Sequence, residues 1–221
     1  QVIGNRRRAD KEFLEKIERQ NKYKPDMSAA DLSGATLSHS DFSETIFDNS
    51  KFIHADLSFS NLFGTWLSFS NLSGATLADS DLTGARFLSA DLSSAIIKRA
   101  NLSGVNFNEA ELSGADLSKA ILSGANLYGA NLSETNLAGG ELNGSNFENS
   151  LLEEALLNNA NFFDASLWQT DLSNAKMRNV RNLSQLELNK AFIRKGKDAP
   201  DLEGSVCIVT GDPLVWKGQT M

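Results

Sequence analysis

Large apolar residues recur at every fifth position from Leu32 to Met177 without interruption, in a column of 21 Leu, 7 Phe, Ile97 and Met177. Two residues ahead of each stands a small one, from Ala30 to Ala175: 17 Ala, 7 Ser, 4 Thr, Val105 and Gly140. The unit reads small, polar, Leu or Phe, usually Ser, then Gly or polar, and it runs thirty times in phase. A period of five fits neither the 3.6 spacing of a helix nor the alternation of a long strand. It does fit a short extended segment followed by a tight bend. Residues two apart on a strand point the same way, so the small residue and the Leu face one side together. The two residues between one Leu and the next small residue then form a corner. Its second residue is Gly at ten positions, Gly34 and Gly84 among them, and elsewhere often Asn or Asp, as at Asn49 and Asp79. These residues tolerate the positive φ that a type II turn requires at its second central position. Self-similarity at a fixed period predicts a solenoid, in which each unit buries its apolar face only against its neighbours.

The units Ala-Asp-Leu-Ser-Gly at 30–34, Ala-Asn-Leu-Ser-Gly at 100–104 and Ala-Asp-Leu-Ser-Lys at 115–119 resemble the A(D/N)LXX signature of the pentapeptide-repeat family. The resemblance covers about two thirds of the chain. It implies an all-β solenoid, a right-handed quadrilateral β-helix in which four units make one square coil. About 7.5 coils at about 4.8 Å each would make a rod about 35 Å long. Residues twenty apart would then stack in columns, such as Asp31, Lys51, Asn71, Asp91, Glu111, Asn131 and Asp41, Asn61, Asp81, Asn101. Acids in these columns are mostly separated by Asn or Lys, which relieves like-charge repulsion and permits amide ladders.

Outside the repeat (residues 26–179) the chain divides into an N-terminal cap, 1–25, and a C-terminal capping helix and tail, 180–221. The first coil of a solenoid exposes an apolar end, and residues 5–21, with Phe13, Leu14 and Ile17 on one stripe, predict a short helix that covers it. At the other end the phase fails after Met177, and Ser184-Gln-Leu-Glu187 is a capping-box pattern that predicts a second helix to about Lys195, stopped by Gly196. A short strand is expected at 205–210 and a turn at Gly211-Asp-Pro213, with the tail folded back on the rod.

Charge changes this picture more than composition does. Residues 1–25 carry eight basic and four acidic side chains, 26–179 seven and nineteen, and 180–221 six and five. An acidic rod repels nucleic acid and attracts basic protein surfaces, so direct nucleic-acid binding is not expected. No apolar run approaches membrane-spanning length, so membrane insertion is not expected either. The single cysteine, Cys207, excludes an internal disulfide and reads as a small buried hydrophobe. The sequence starts at Gln1 without an initiator Met, so no compartment is assigned beyond a slight preference for the cytoplasm over a lumenal or periplasmic space.

The chemistry inventory is thin. His39 and His54 sit at predicted corners without metal-ligand spacing, no Ser has a base beside it, and no glycine-rich stretch is followed by the Lys and helix of a phosphate loop. No catalytic, cofactor or metal residues are assigned, and an enzyme is not expected. Outward positions read as polar through mid-rod. The candidate partner-binding residues are Phe59, Phe63, Trp66 and Phe69, aromatics on the wall or corners of one coil near the N-terminal end, with Ile46 and Ile53 beside them. A second apolar group, Leu151, Leu156, Phe163 and Trp168, is expected to lie under the tail. The reading that follows is a non-catalytic protein-interaction scaffold or regulatory protein, either monomeric or dimeric end to end or side by side. The alternative, implied by the resemblance alone, is a DNA mimic that binds or protects a type II topoisomerase. Family members of that kind carry more core Phe and Cys at the small position. Here Leu dominates and the repeats hold no Cys.

Overall fold

Each pentapeptide turns a corner because a hydrogen bond closes it: Ala35 N–H donates to the Leu32 carbonyl at 3.0 Å, and the same bond recurs along the rod. The second corner residue has positive φ in every unit, while the first does not, which defines type II turns throughout. Four such corners close a square coil. Bridges pair residues twenty apart in parallel, Asp31 with Lys51, Lys51 with Asn71 and onward to Asn161 with Arg181. The computed structural model describes residues 24–221 in these terms. The N-terminal helix expected over 5–21 lies outside the described residues.

The backbone donors of one unit can be followed one by one, since buried N–H groups need partners. Leu32 N–H reaches Lys51 O at 2.7 Å, Gly34 N–H reaches Ile53 O at 2.8 Å and Lys51 N–H reaches Ala30 O at 2.8 Å, all between coils. The small residue closes the turn. The fifth donor, on the residue after Leu, is taken by the Asp or Asn two positions before it, as from Ser33 N to Asp31 Oδ1 at 3.1 Å. The Ser hydroxyl often joins this bond, as from Ser93 Oγ to Asp91 Oδ1 at 2.7 Å. The Asp/Asn-Leu-Ser triplet is thus a corner cap, which is why Ser follows Leu so often.

The column from Leu37 to Met177 is fully buried and fills the interior with Leu and Phe, among them Phe87 stacked on Phe107 at 5.1 Å. Most buried Ser and Thr at the small position spend their hydroxyls on carbonyls, as Ser60 does on Leu37 O at 2.9 Å and Thr135 on Leu112 O at 2.9 Å; the Thr45 hydroxyl finds no partner among the described residues. Outside, the amide ladders form as the stacking implies. Asn61 Nδ2 donates to Asp41 Oδ1 at 3.0 Å and Asn131 Nδ2 to Glu111 Oε1 at 2.9 Å.

Two corners separate backbone strain from crowding. At Gly84, φ is +66° and an added Cβ meets nothing within 4 Å, whereas at Gly74 it would run into the His54 imidazole. Gly84→Ala should therefore lower stability by about 1 kcal/mol through its left-handed backbone alone. Gly74→Ala should cost more, and His54→Ala should recover the excess, as read from urea midpoints in a double-mutant cycle.

The C-terminal expectations need correcting. The helix predicted to run to about Lys195 is a single turn, α1 (Gln185–Leu188), and no described helix caps the rod. The N-cap half of the capping box is real, with Glu187 N–H donating to Ser184 Oγ at 3.0 Å. The Glu187 carboxylate, however, turns away to Leu167 N–H and Lys190. The next residues are drawn into another coil: Phe192 N–H donates to Thr170 O and Leu172 N–H to Phe192 O, both at 2.9 Å. They form β1 (Phe192–Ile193), which pairs in parallel with β2 (Gln219–Thr220). The repeat itself resumes. Pro200-Asp-Leu-Glu-Gly204 makes a further corner, Asp201 bridges Lys176, and Gly204 has φ +72°. The strand expected at 205–210 is reduced to one antiparallel bridge, Val206 to Pro213, with Cys207 buried at the core position of this late coil. Backbone N–H groups of Gln185, Thr210 and Val209 point at its sulfur and pull the thiol pKa down from its ordinary value to about 7.

The tail is pinned by ions. Asp171 is fully buried; its Oδ1 accepts from Ser173 N, and its Oδ2 lies 2.7 Å from Arg194 Nε in an ionic contact off the hydrogen-bond line. Arg194 also reaches Glu153 at 2.9 Å, where Lys197 joins at 2.7 Å.

Candidate functional site

The coil that carries residues 53–69 places a Phe at three consecutive corners. Phe59 occupies one, Phe63 the next and Phe69 the third, all about half exposed (55%, 47% and 58%). Ile53 and His54 stand at the fourth. Phe59 and Phe69 have φ of 58° and 59°, the left-handed value the second corner residue takes in every unit. One coil on, the same corner positions carry Asp79, Thr83 and Ser89. Phe59 is held by the His39 ring below it, stacked at 5.0 Å with planes 4° apart.

Trp66 lies on the wall between Phe63 and Phe69, half-buried where they are exposed. Its ring sits within cation–π range of two cations, Lys24 Nζ at 5.2 Å and the Arg86 guanidinium at 4.5 Å. Lys24 also lies 3.7 Å from Glu44. The structure thus brings the four sequence-selected aromatics into one collar, three projecting and one half-buried beside two cations. The sequence did not show these two contacts, because they depend on side-chain directions that the period does not encode.

The adjoining wall, between Phe59 and Phe63, is different in kind. Its outward side chains are Asp41, Asn61 and Asp81, stacked in one column and all exposed. Asp41 Oδ1 accepts from Ser43 N and Asn61 Nδ2, and Asp81 Oδ1 from Thr83 N and Oγ1. Among the described residues neither carboxylate has an ion-pair partner. Other acids of the rod do: Asp79 makes a two-bond pair with Arg99 at 2.6 and 2.7 Å, which holds its carboxyl below the usual range.

The second apolar group is not covered as expected. Leu156, Phe163 and Trp168 are exposed and only Leu151 is half-buried, because the tail follows the coil path and leaves these corners open. A small groove of about 210 Å³ beside Phe163 is lined by Leu183, Ser184, Glu187 and Ile208. Mid-rod is not wholly polar either: Ile96, Ile121 and Tyr128 are exposed singly. Among the described residues no group of three His, Cys, Asp or Glu side chains could hold a metal, and no helix is long and apolar enough to cross a membrane.

The family model for pentapeptide repeats matches the chain in eight copies, over residues 30–68, 60–99, 70–108, 100–139, 110–149 and 141–179. No curated protein matches. Among solved structures, the chain is similar to HetL, a pentapeptide repeat protein involved in heterocyst differentiation regulation in the cyanobacterium Nostoc sp. strain PCC 7120. The two are 26% identical over 86% of this chain and 90% of that one, with a TM-score of 0.34. It is also similar to alr5209, a pentapeptide repeat protein of the same organism, at 32% identity over 50% of this chain and 74% of that one, with a TM-score of 0.23. A trypsin-treated QnrB1, a plasmid-mediated fluoroquinolone resistance protein, aligns at 19% identity over 88% and 91%, with a TM-score of 0.45.

Proposed function

Because the chain belongs to the pentapeptide-repeat family, we propose that it is a non-catalytic protein-interaction scaffold, a rigid acidic rod that a partner protein grips at the collar of Phe59, Phe63, Trp66 and Phe69. The observation that carries this reading is the placement of three half-exposed Phe side chains on consecutive corners of one coil. Exposed aromatics gathered at one level mark contacts, and aromatic anchors dominate interface energetics. Trp66 is assigned the supporting role, since its two cations fix it between the projecting rings.

Affinity capture from the source cell with the intact protein and with a Phe59→Ser, Phe63→Lys variant of unchanged circular dichroism tests this. A partner retained by the first and lost by the second is the expected result; an identical partner set would move the contact away from the collar. In a type II topoisomerase supercoiling assay the added protein should leave the reaction unchanged, and inhibition or protection there would favour the DNA-mimic reading instead.

A further inference from the structure

The collar borders two walls of opposite character, and that difference says what kind of segment it receives. On the Trp66 wall the space between Phe63 and Phe69 is already served by this chain's own cations, Lys24 and Arg86. On the Asn61 wall the space between Phe59 and Phe63 holds Asp41 and Asp81, exposed and without a cation among the described residues. Each of these carboxylates spends Oδ1 on the turn or the ladder and leaves Oδ2 without a hydrogen bond among the described residues. The wall therefore offers two apolar rings at its edges and, along its middle, two negative charges without a cation among the described residues, two coils or about 10 Å apart.

We propose that this wall docks a basic segment of a partner protein, one that sets aliphatic or aromatic anchors against Phe59 and Phe63 and places lysine or arginine side chains on Asp41 and Asp81. The proposal rests on the collar reading above and names the chemistry of its partner. A cation satisfies this site twice over, by pairing with the free carboxylate oxygen and by lying over a Phe ring. About 10 Å is also two turns of an α-helix, so cations seven residues apart on one helix face reach both carboxylates. Phe59 is already held against His39, so little of its freedom is lost on binding. An acidic segment would face repulsion at both carboxylates, which gives the wall discrimination as well as affinity.

The test uses the full chain and two fluorescent 14-residue amphipathic peptides with the same Leu and Phe content, one with Lys and one with Glu at every polar position. The Lys peptide should bind, with affinity falling as salt rises. An Asp41→Asn, Asp81→Asn variant keeps the amide or carboxyl oxygen each corner needs, yet should bind about tenfold more weakly. The control, Asp91→Asn with Glu111→Gln, removes the same charge from another wall and should leave binding unchanged. Equal loss in the two variants would show general attraction to an acidic rod and overturn the proposal, as would equal binding of the two peptides. Self-association of the protein that disappears with the Asp41→Asn, Asp81→Asn substitutions would overturn it in favour of a second copy as occupant. If the natural partner is lost on Phe59→Ser, Phe63→Lys but not on acid neutralisation, the collar reading survives and this one falls. If it is lost on neither, both fall.

Discussion

Phe107→Ala should destabilise the rod by about 3–5 kcal/mol and split its urea unfolding into two transitions. Phe107 is fully buried and stacked on Phe87 one coil below, so truncation opens a void that neighbouring backbone cannot close. Every coil is tied to the next by hydrogen bonds at fixed positions, which leaves no room for local collapse. A solenoid's stability is close to a sum of units and nearest-neighbour interfaces, so a weak interface in the middle uncouples the two halves. Circular dichroism against urea, with hydrogen exchange to locate the first opening, checks this. A single transition at a slightly lower midpoint would show that the coils repack around the gap.

Arg194→Ala should release the tail. The substitution leaves the Asp171 carboxylate, 0% exposed, without its cation; because Arg194 itself is half exposed, the cost should be about 1–3 kcal/mol, below that of breaking a fully buried pair. Because Arg194 also holds Glu153, the strap formed by 192–198 loses two of its ionic attachments to the wall and is left with Lys197 on Glu153 and the backbone bonds of Phe192 and Asp198. Limited proteolysis should cut the variant between 190 and 200 while the repeat stays intact; an unchanged cleavage pattern would mean that β1 pairing alone retains the tail. Acid should act in the same direction. Arg181 beside Glu141, Lys197 beside Glu153 and Arg178 beside Asp201 each hold a carboxyl below its usual range. These groups stabilise the fold above their unfolded values, near 4. That contribution is lost as pH falls through the lower folded values. The tail should therefore become protease-sensitive below about pH 4 before the repeat melts.

The core column was legible because one residue class sits at one spacing and nothing interrupts it: from Leu32 to Met177, core assignment needs only the period, whereas four units to a coil came from the family resemblance. The turn type was legible for the same reason, through the Gly and Asn at the second corner position. The cap made by Asp31 on Ser33, repeated in unit after unit, was present in the sequence as Asp/Asn-Leu-Ser but reads as mere polarity until the donors are counted. The end of the rod misled. Asn182 stands where a Leu is due, and an inserted turn carries the chain out of phase before Pro200-Asp-Leu-Glu-Gly204 restores it. Local capping signals at Ser184 were obeyed for one turn and then overridden by the bonds of Phe192 to Thr170 and Leu172. Of the site, the four aromatics were found by counting coils; the cations on Trp66 were not, since ring contacts depend on side-chain directions that period does not encode.

Pairing at a separation of twenty residues makes distance along this protein an integer. Phe63 and Phe163 differ by 100 residues, five whole coils, so they stand on the same edge of the square about 24 Å apart. Adding or removing twenty residues between them would lengthen or shorten that interval by one step and leave both on the same edge. Five residues would instead swing everything beyond by a quarter turn, so the two rings would look out in different directions. Such a rod tolerates change in length only in quanta, and the bearing of one end relative to the other is written in the remainder.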